Sequence, residues 1–233
     1  MKKGQLTIIP TPLDEIHPLE GVAKALLLKA CEDAAASIFI IEDLRPGRRR
    51  WLQWGLPREQ VEDFELLNEH NYRQQTLRLL QFLQLGKNLY LMSDGGLPAF
   101  CDPGRELIAA CHEQNIKVTA TPFQNSVVLA LALSGFPHHR FVFEGFIPVK
   151  TEQRVAALQS INRQKSAVIL MDTPYRLKNL LLLIKDIAPS RRLFLAMGLN
   201  CPDETLLLGN AQKVIKNIGH FKREFILILA PVC

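Results

Sequence analysis

Along residues 1–120, short runs of apolar and β-branched side chains alternate with longer stretches whose apolar positions recur every three or four residues. The first pattern is that of buried strands and the second that of amphipathic helices, so the order predicts a parallel sheet with helices on its faces. Strands are expected at Leu6–Ile9, Ser37–Ile41, Asn88–Met92 and Lys117–Ala120, and helices near Glu20–Ala35, Asn71–Leu85 and Gly104–Gln114. In the helix over 71–85 the apolar stripe is read as Leu77, Leu80 and Leu85, with Arg73, Gln74, Arg78 and Gln81 on the other face.

The pattern changes between Thr121 and Pro137, which reads as a hinge: a turn, a helix of small residues over Ser126–Ser134, then Gly135-Phe136-Pro137. Beyond it come a strand at Arg140–Gly145, a helix from Thr151, a strand at Ala167–Met171, a helix over Pro174–Ile187, and strands at Leu193–Ala196 and Phe225–Ala230. The expected organisation is therefore two α/β domains, 1–120 with a mostly parallel sheet and 121–233 of different, smaller design.

Composition narrows the class. At 233 residues and 48% hydrophobic side chains, there is material for one or two packed cores. The strongest apolar run, Leu180–Ile184, is ended by Lys185 and Asp186, far short of a bilayer span. The opening Met1-Lys2-Lys3-Gly4 leads into a run broken by Pro10 and Pro12, unlike a secretory signal, so a soluble, cytoplasmic, non-membrane protein is expected. Five cysteines, odd in number and without a CxxC pair, speak against a disulfide framework and a zinc site. His138-His139 has no carboxylate or cysteine at ligand spacing and reads as loop surface, so no metal is expected.

The net charge of +5 is unevenly placed: residues 1–120 carry 14 Lys/Arg against 16 Asp/Glu, and residues 121–233 carry 14 against 7. A phosphate-bearing partner prefers the second half, though a solvated basic face gives the same count.

In an open parallel sheet, ligands bind beyond the carboxyl ends of the strands. The loops expected there are Pro10-Thr11-Pro12, Glu42-Asp43-Leu44-Arg45, Ser93-Asp94-Gly95-Gly96-Leu97-Pro98 and Pro122-Phe123-Gln124-Asn125-Ser126. Paired glycines after a strand let backbone approach a ligand or simply make a turn; Asp94 adds a carboxylate at the mouth. Neither GxGxxG nor GxxxxGK[ST] is present, which disfavours NAD binding and removes the P-loop reading.

These residues, in order, resemble the tetrapyrrole methylase family, and within it the branch that methylates a ribose 2′-oxygen of small-subunit ribosomal RNA. The resemblance runs through Gly4-Gln5-Leu6, Pro10-Thr11-Pro12, Glu42-Asp43 with Arg45, Ser93 to Pro98 and Asp102-Pro103-Gly104. It continues through Gly135-Phe136-Pro137, Arg140-Phe141, Phe143-Glu144-Gly145-Phe146 with Pro148 and Lys150, and Asp172 to Leu177. It implies a homodimer of two-domain subunits that holds S-adenosylmethionine in the cleft between domains, releases S-adenosylhomocysteine, and acts on ribosomal RNA or the small ribosomal subunit. The cofactor-binding positions it implies are Pro10, Asp94, Gly95, Gly96, Leu97, Asn125, Ser126, Asp172, Thr173 and Ala196. The chain departs from the branch at Gly95 and Leu97 in place of alanine and threonine, at Leu44 in place of threonine, and at Ala196-Met197-Gly198-Leu199-Asn200-Cys201 in place of A-R-E-L-T-K.

Methyl transfer to a hydroxyl needs a proton acceptor, and the candidates leaving the second strand are Glu42 and Asp43, with Arg45 beside them; the alternative is a helix-start or ion-pair role. Glu144, among Phe141, Phe143 and Phe146, reads as a buried structural carboxylate. Arg48, Arg49 and Arg50, followed by Trp51 and Trp54, combine phosphate-pairing charge with stackable rings, or form a basic helix with its tryptophans inward. Arg176, at a helix start in the positive half, is a further candidate RNA contact, or alternatively a domain-interface ion pair. Two other functions fit the same fold: methylation of a tetrapyrrole or other small molecule, and a catalytically silent homologue that binds cofactor or RNA.

Overall fold

A computed structural model describes residues 2–123 and 125–232 and divides the chain into two compact units, Met1–Asn125 and Ser126–Cys233. The protein is α/β in both.

The first unit runs β1 (Gln5–Ile9), α1 (Gly21–Glu32), β2 (Ser37–Ile41), α2 (Leu44–Gln53), β3 (Glu65–Leu66), α3 (Tyr72–Gln84), β4 (Asn88–Met92), α4 (Arg105–Glu113) and β5 (Lys117–Ala120). Its sheet has the order β3-β2-β4-β1-β5 and every pairing is parallel. Alternation along the strands sorts side chains to two faces. Ile9, Phe39, Ile41, Tyr90 and Met92 pack under α1 and α2 with Leu27, Trp51 and Trp54. Leu6, Ile8, Ile40, Leu89 and Leu91 pack under α3 and α4 with Leu79, Leu83 and Leu107. Every strand of the centre is therefore covered twice, which is why these segments read as unbroken apolar runs.

Two details differ from the sequence reading. In α3 the buried stripe is Thr76, Leu79, Leu80 and Leu83, while Leu77 and Leu85 are 66% and 64% exposed. The i, i+3, i+4, i+7 set that includes Thr76 outcompetes the sparser leucine-only set, because three clustered leucines bury more area than three spread around the helix. The second difference is α2, whose Pro46 and Gly47 look like breakers. Pro46 lies in the first turn, where its missing N–H costs nothing, and a Cβ on Gly47 would come within 2.6 Å of Ile41, so glycine permits the close helix–sheet approach.

The second unit runs α5 (Ser126–Ser134), β6 (Phe141–Phe146), α6 (Thr151–Asn162), β7 (Ala167–Met171), α7 (Leu177–Ile187), β8 (Leu193–Met197), β9 (Thr205–Gly209), α8 (Ala211–Asn217) and β10 (Phe225–Leu229). Its sheet order is β6-β7-β10-β8-β9, with β6 and β7 parallel and the other neighbours antiparallel. Leu170, Leu195 and Leu227 face a core completed by α6, α7 and α8, and α5 packs against β10. The sequence reading did not include β9 or α8.

Glu144 corrects an expectation. The register shifts between Phe143 and Gly145, Gly145 takes φ +66°, and Glu144 is exposed, as are Phe141 and Phe146. A bulge adds one residue that the partner strand does not match, and here that residue points to solvent instead of into a core.

Candidate active site in the first unit

β1 connects across β4 to β2, and β4 connects across β1 to β5. The connections from these adjacent strands leave in opposite directions, so a crevice opens at their carboxyl ends. There the loops after β1 and β4 are tied to each other: Thr11 N–H donates to Gly96 O at 2.9 Å, Gly96 N–H returns to Thr11 O at 3.1 Å, and Thr11 Oγ1 donates to Ser93 O at 3.1 Å. Gly96 has φ +88°, a conformation that side chains disfavour, and is buried, whereas Gly95 is exposed. A Cβ on Gly95 would meet Pro12 O at 3.6 Å and Arg50 Nη2 and Leu13 O at 3.7 Å, ordinary contact distances, so the loop after β4 lies against the loop after β1 at this position.

Beside this loop lies a cavity of about 680 Å³ into which six carboxylates converge: Glu42, Asp43, Glu69, Asp94, Asp102 and Glu106. Burial pushes the Glu42 carboxyl up to about 7, repulsion from Asp102 and Asp94 adds to the rise, and a hydrogen bond from the Asp94 backbone opposes it. Asp102 is raised to about 6 by burial and by Asp94, against a hydrogen bond from Ser93. Asp94 is also raised, by burial first and Asp43 second, with Arg50 pulling the other way. Asp43 is exposed and accepts from Arg45 N–H at 3.1 Å, capping α2. Of the two carboxylates that leave β2, Glu42 is therefore the one available to exchange a proton near neutral pH, and Asp43 is occupied as a helix cap.

Asp102 was quoted in a motif but not seen as part of this cluster. The signal that points to it is the loop 98–103, where Ala99 and Cys101 take φ +65° and +68° without being glycine. Such backbone costs roughly 1–3 kcal/mol per residue and persists where packing enforces it.

The structure brings Pro10, Glu42, Asp43, Asp94, Gly95, Gly96 and Leu97 to the carboxyl edge of the first sheet. Arg45 starts α2 and is exposed. Asn125 closes the first unit and Ser126 opens the second, both half-buried; Gln124 lies outside the described residues. Asp172, Thr173, Ala196 and Arg176 belong to the second unit. Ala196 is fully buried within β8. Asp172 is 3% exposed, paired with the buried Arg154 and, at 3.4 Å, with Arg176, and it accepts from Thr173 N–H at 2.8 Å.

The three successive arginines separate in the fold. Arg50 is 6% exposed and its Nη1 donates to Pro12 O at 2.9 Å, so it is a strut inside the first unit and not a phosphate-facing charge. Arg48 pairs with Glu62 at 3.0 Å and Arg49 with Glu15. Trp51 and Trp54 are buried, with Trp51 edge-on to Phe39 at 4.9 Å. These rings are core, and the inward alternative is the one the structure takes.

Among the described residues no group of three His, Cys, Asp or Glu is arranged to hold a metal, and no helix is long and apolar enough to cross a membrane. Cys31, Cys101 and Cys111 are free thiols.

No family model matches the chain. It is 31% identical to "Ribosomal RNA small subunit methyltransferase I" of Thermotoga maritima, over 95% of this chain and 93% of that protein. It is 37% identical to the protein of the same description from Synechocystis sp., over 70% of this chain and 60% of that longer relative. Among solved structures, the uroporphyrin-III C-methyl transferase of Thermus thermophilus complexed with S-adenyl homocysteine superimposes with a TM-score of 0.59 at 14% identity, covering 97% of each chain.

Proposed function

Because the chain belongs to the ribosomal RNA small subunit methyltransferase I family, we propose that it methylates a ribose 2′-hydroxyl of small-subunit ribosomal RNA with S-adenosylmethionine as methyl donor. The observation that carries the reading is the carboxylate cavity at the crossover point of the first sheet, next to the glycine loop after β4.

The donor set there fits the cofactor, whose sulfonium and amino groups are cationic and whose ribose hydroxyls need acceptors. Asp94 and the exposed backbone of Gly95 would hold it, Gly96 would fix that loop through its bonds to Thr11, and Pro10 would wall the loop after β1. When bound, the cofactor supplies an electrophilic methyl group for in-line displacement. Everything else is positioning and proton handling. Holding the hydroxyl in line is worth about 7–11 kcal/mol in effective molarity. Glu42, whose carboxyl is lifted to about 7 by burial first and by Asp102 and Asp94, accepts the hydroxyl proton, a role that typically contributes 10²–10⁴-fold. Asp102 keeps Glu42 basic by its negative charge, and Arg50 braces the loop and offsets Asp94.

The same reading has the protein working in the cytoplasm, where ribosomal subunits are, and as a homodimer. Support for the dimer comes from the second unit, which leaves Val128 and Leu133 of α5 and Phe146 of β6 between 44% and 58% exposed. Light scattering at micromolar concentration should return twice 26.4 kDa; the monomer mass throughout would remove the dimer from the proposal.

The experiment for the activity is transfer of labelled methyl from S-adenosylmethionine to small ribosomal subunits that lack their own methylations, followed by digestion to locate the label on ribose. Label in RNA supports the reading. Absence of label with intact S-adenosylhomocysteine binding would instead indicate the silent homologue.

A further inference from the structure

The basic excess of the second half has a specific address. A cavity of about 470 Å³, within the range that holds compact ligands, lies between the start of α7 and the loop from α8 to β10. Tyr175, Lys178, His220, Phe221 and Lys222 line it, and no carboxylate does. Lys178, His220 and Lys222 are exposed, and Tyr175 is 67% exposed with the Arg176 guanidinium 5.2 Å from its ring centre. Arg176 shares the Asp172 carboxylate with the buried Arg154 and stands beside the Tyr175 ring, while the two lysines present their charge to solvent.

This lining is the converse of the first unit's cavity, where six carboxylates would repel a phosphate backbone. We propose that the Tyr175–Lys178–His220–Lys222 pocket is a binding site for single-stranded RNA, in which an unstacked base lies on Tyr175 and the flanking phosphates are met by Lys178 and Lys222. Point-charge ammonium groups suit phosphate without demanding one geometry, and an exposed aromatic face accepts any base. The proposal deepens the RNA methyltransferase reading and rests on it for the identity of the ligand.

The test uses the full chain, a fluorescein-labelled single-stranded RNA and the same sequence as a duplex, with anisotropy measured across a salt series. Each phosphate contact contributes about 0.7 to the slope of log affinity against log salt for a single strand. The double variant K178A/K222A should therefore lower the slope by about 1.4 while S-adenosylhomocysteine binds as before. Y175A should weaken single-strand binding by about 5- to 160-fold without changing the slope, and Y175F should restore it. All of these side chains are exposed, so folding is retained and thermal melts confirm it. An unaltered slope in the lysine variant would overturn the site. A Y175A variant as tight as wild type, or a duplex bound as tightly as the single strand, would overturn the stacked base. If the variants behave as expected but the wild type labels no ribosomal RNA, the pocket stands and the methyltransferase reading falls. If the lysine variant binds RNA and labels subunits like wild type, the reverse holds.

Discussion

Replacing Glu42 by Gln tests the central carboxylate through stability as well as activity. In the folded protein burial and two neighbouring aspartates raise this group from 4.5 to about 7. Below pH 4.5 the carboxyl is protonated in both states and costs nothing. As pH rises through 4.5 the unfolded chain releases its proton while the folded protein keeps it, so wild-type stability falls until about pH 7 and is then level. The rise corresponds to about 3 kcal/mol at 1.36 kcal/mol per pH unit. The side chain is only half buried, and solvent screening reduces this to roughly 1–2 kcal/mol. E42Q keeps the shape and removes the charge, so at pH 8 it should be more stable than wild type by that amount, and at pH 4 the two should coincide. With a urea dependence of about 2 kcal/mol per molar, the midpoint should move up by roughly 0.5–1 M at pH 8. Methyl transfer should meanwhile drop 10²–10⁴-fold. Coincident urea midpoints at pH 8, or an E42Q enzyme with full activity, would refute the assignment of Glu42 as a destabilised base.

D102N removes a repulsive neighbour from Glu42, so the acid limb of the pH–rate profile for methyl transfer should shift to lower pH; an unmoved limb would separate the two groups. R50M strips the brace from Pro12 O and the cation that opposes the rise of Asp94, and should cost about 1–3 kcal/mol in stability along with weaker S-adenosylhomocysteine binding in calorimetry. D172N leaves Arg154 buried opposite a neutral group and should destabilise the second unit by about 3–5 kcal/mol. Hydrogen exchange across β7 is the right readout, since Trp51 and Trp54 both lie in the first unit and report nothing of the second.

Four of the five strands of the first unit, β1, β2, β4 and β5, were legible as short runs rich in apolar and β-branched side chains, while the two-residue β3 is too short to show a pattern. β2, β4 and β5 begin and end where the pattern places them. β9 was not, because Thr205-Leu206-Leu207-Leu208-Gly209 lacks the β-branched signal and lies at a sheet edge, and α8 is too short for a period to show. α2 was legible as one of two readings of the arginine run, and the permissive positions of Pro46 and Gly47 are revealed by the packing. The candidate site divides in the same way. Asp94 and the glycines follow from their place after a strand, and Glu42 from its place after another. The proton affinity of Glu42 was not legible, since it depends on Asp102, which the topology brings in from beyond β4. Nor was the fate of Arg50: a run of three arginines looks like one surface, but helical spacing turns the third inward, where a carbonyl receives it.

The order of strands also governs when the crevice can exist. β4 sits between β2 and β1, so the first two long strands to be synthesised are not neighbours and cannot pair correctly by themselves. At translation rates of about 5–20 residues per second, β4 emerges on the order of 3–10 s after β2. During that interval Ile8, Ile40 and their neighbours have apolar edges without a partner. The strand that pairs with both β1 and β2 is therefore complete only when Met92 arrives, and the residues of the reciprocal Thr11–Gly96 bridge follow immediately behind it. The loop that completes the candidate site is also the clasp that ends this vulnerable interval, so substitutions there should lower the yield of folded protein during synthesis more than they lower the stability of molecules already folded.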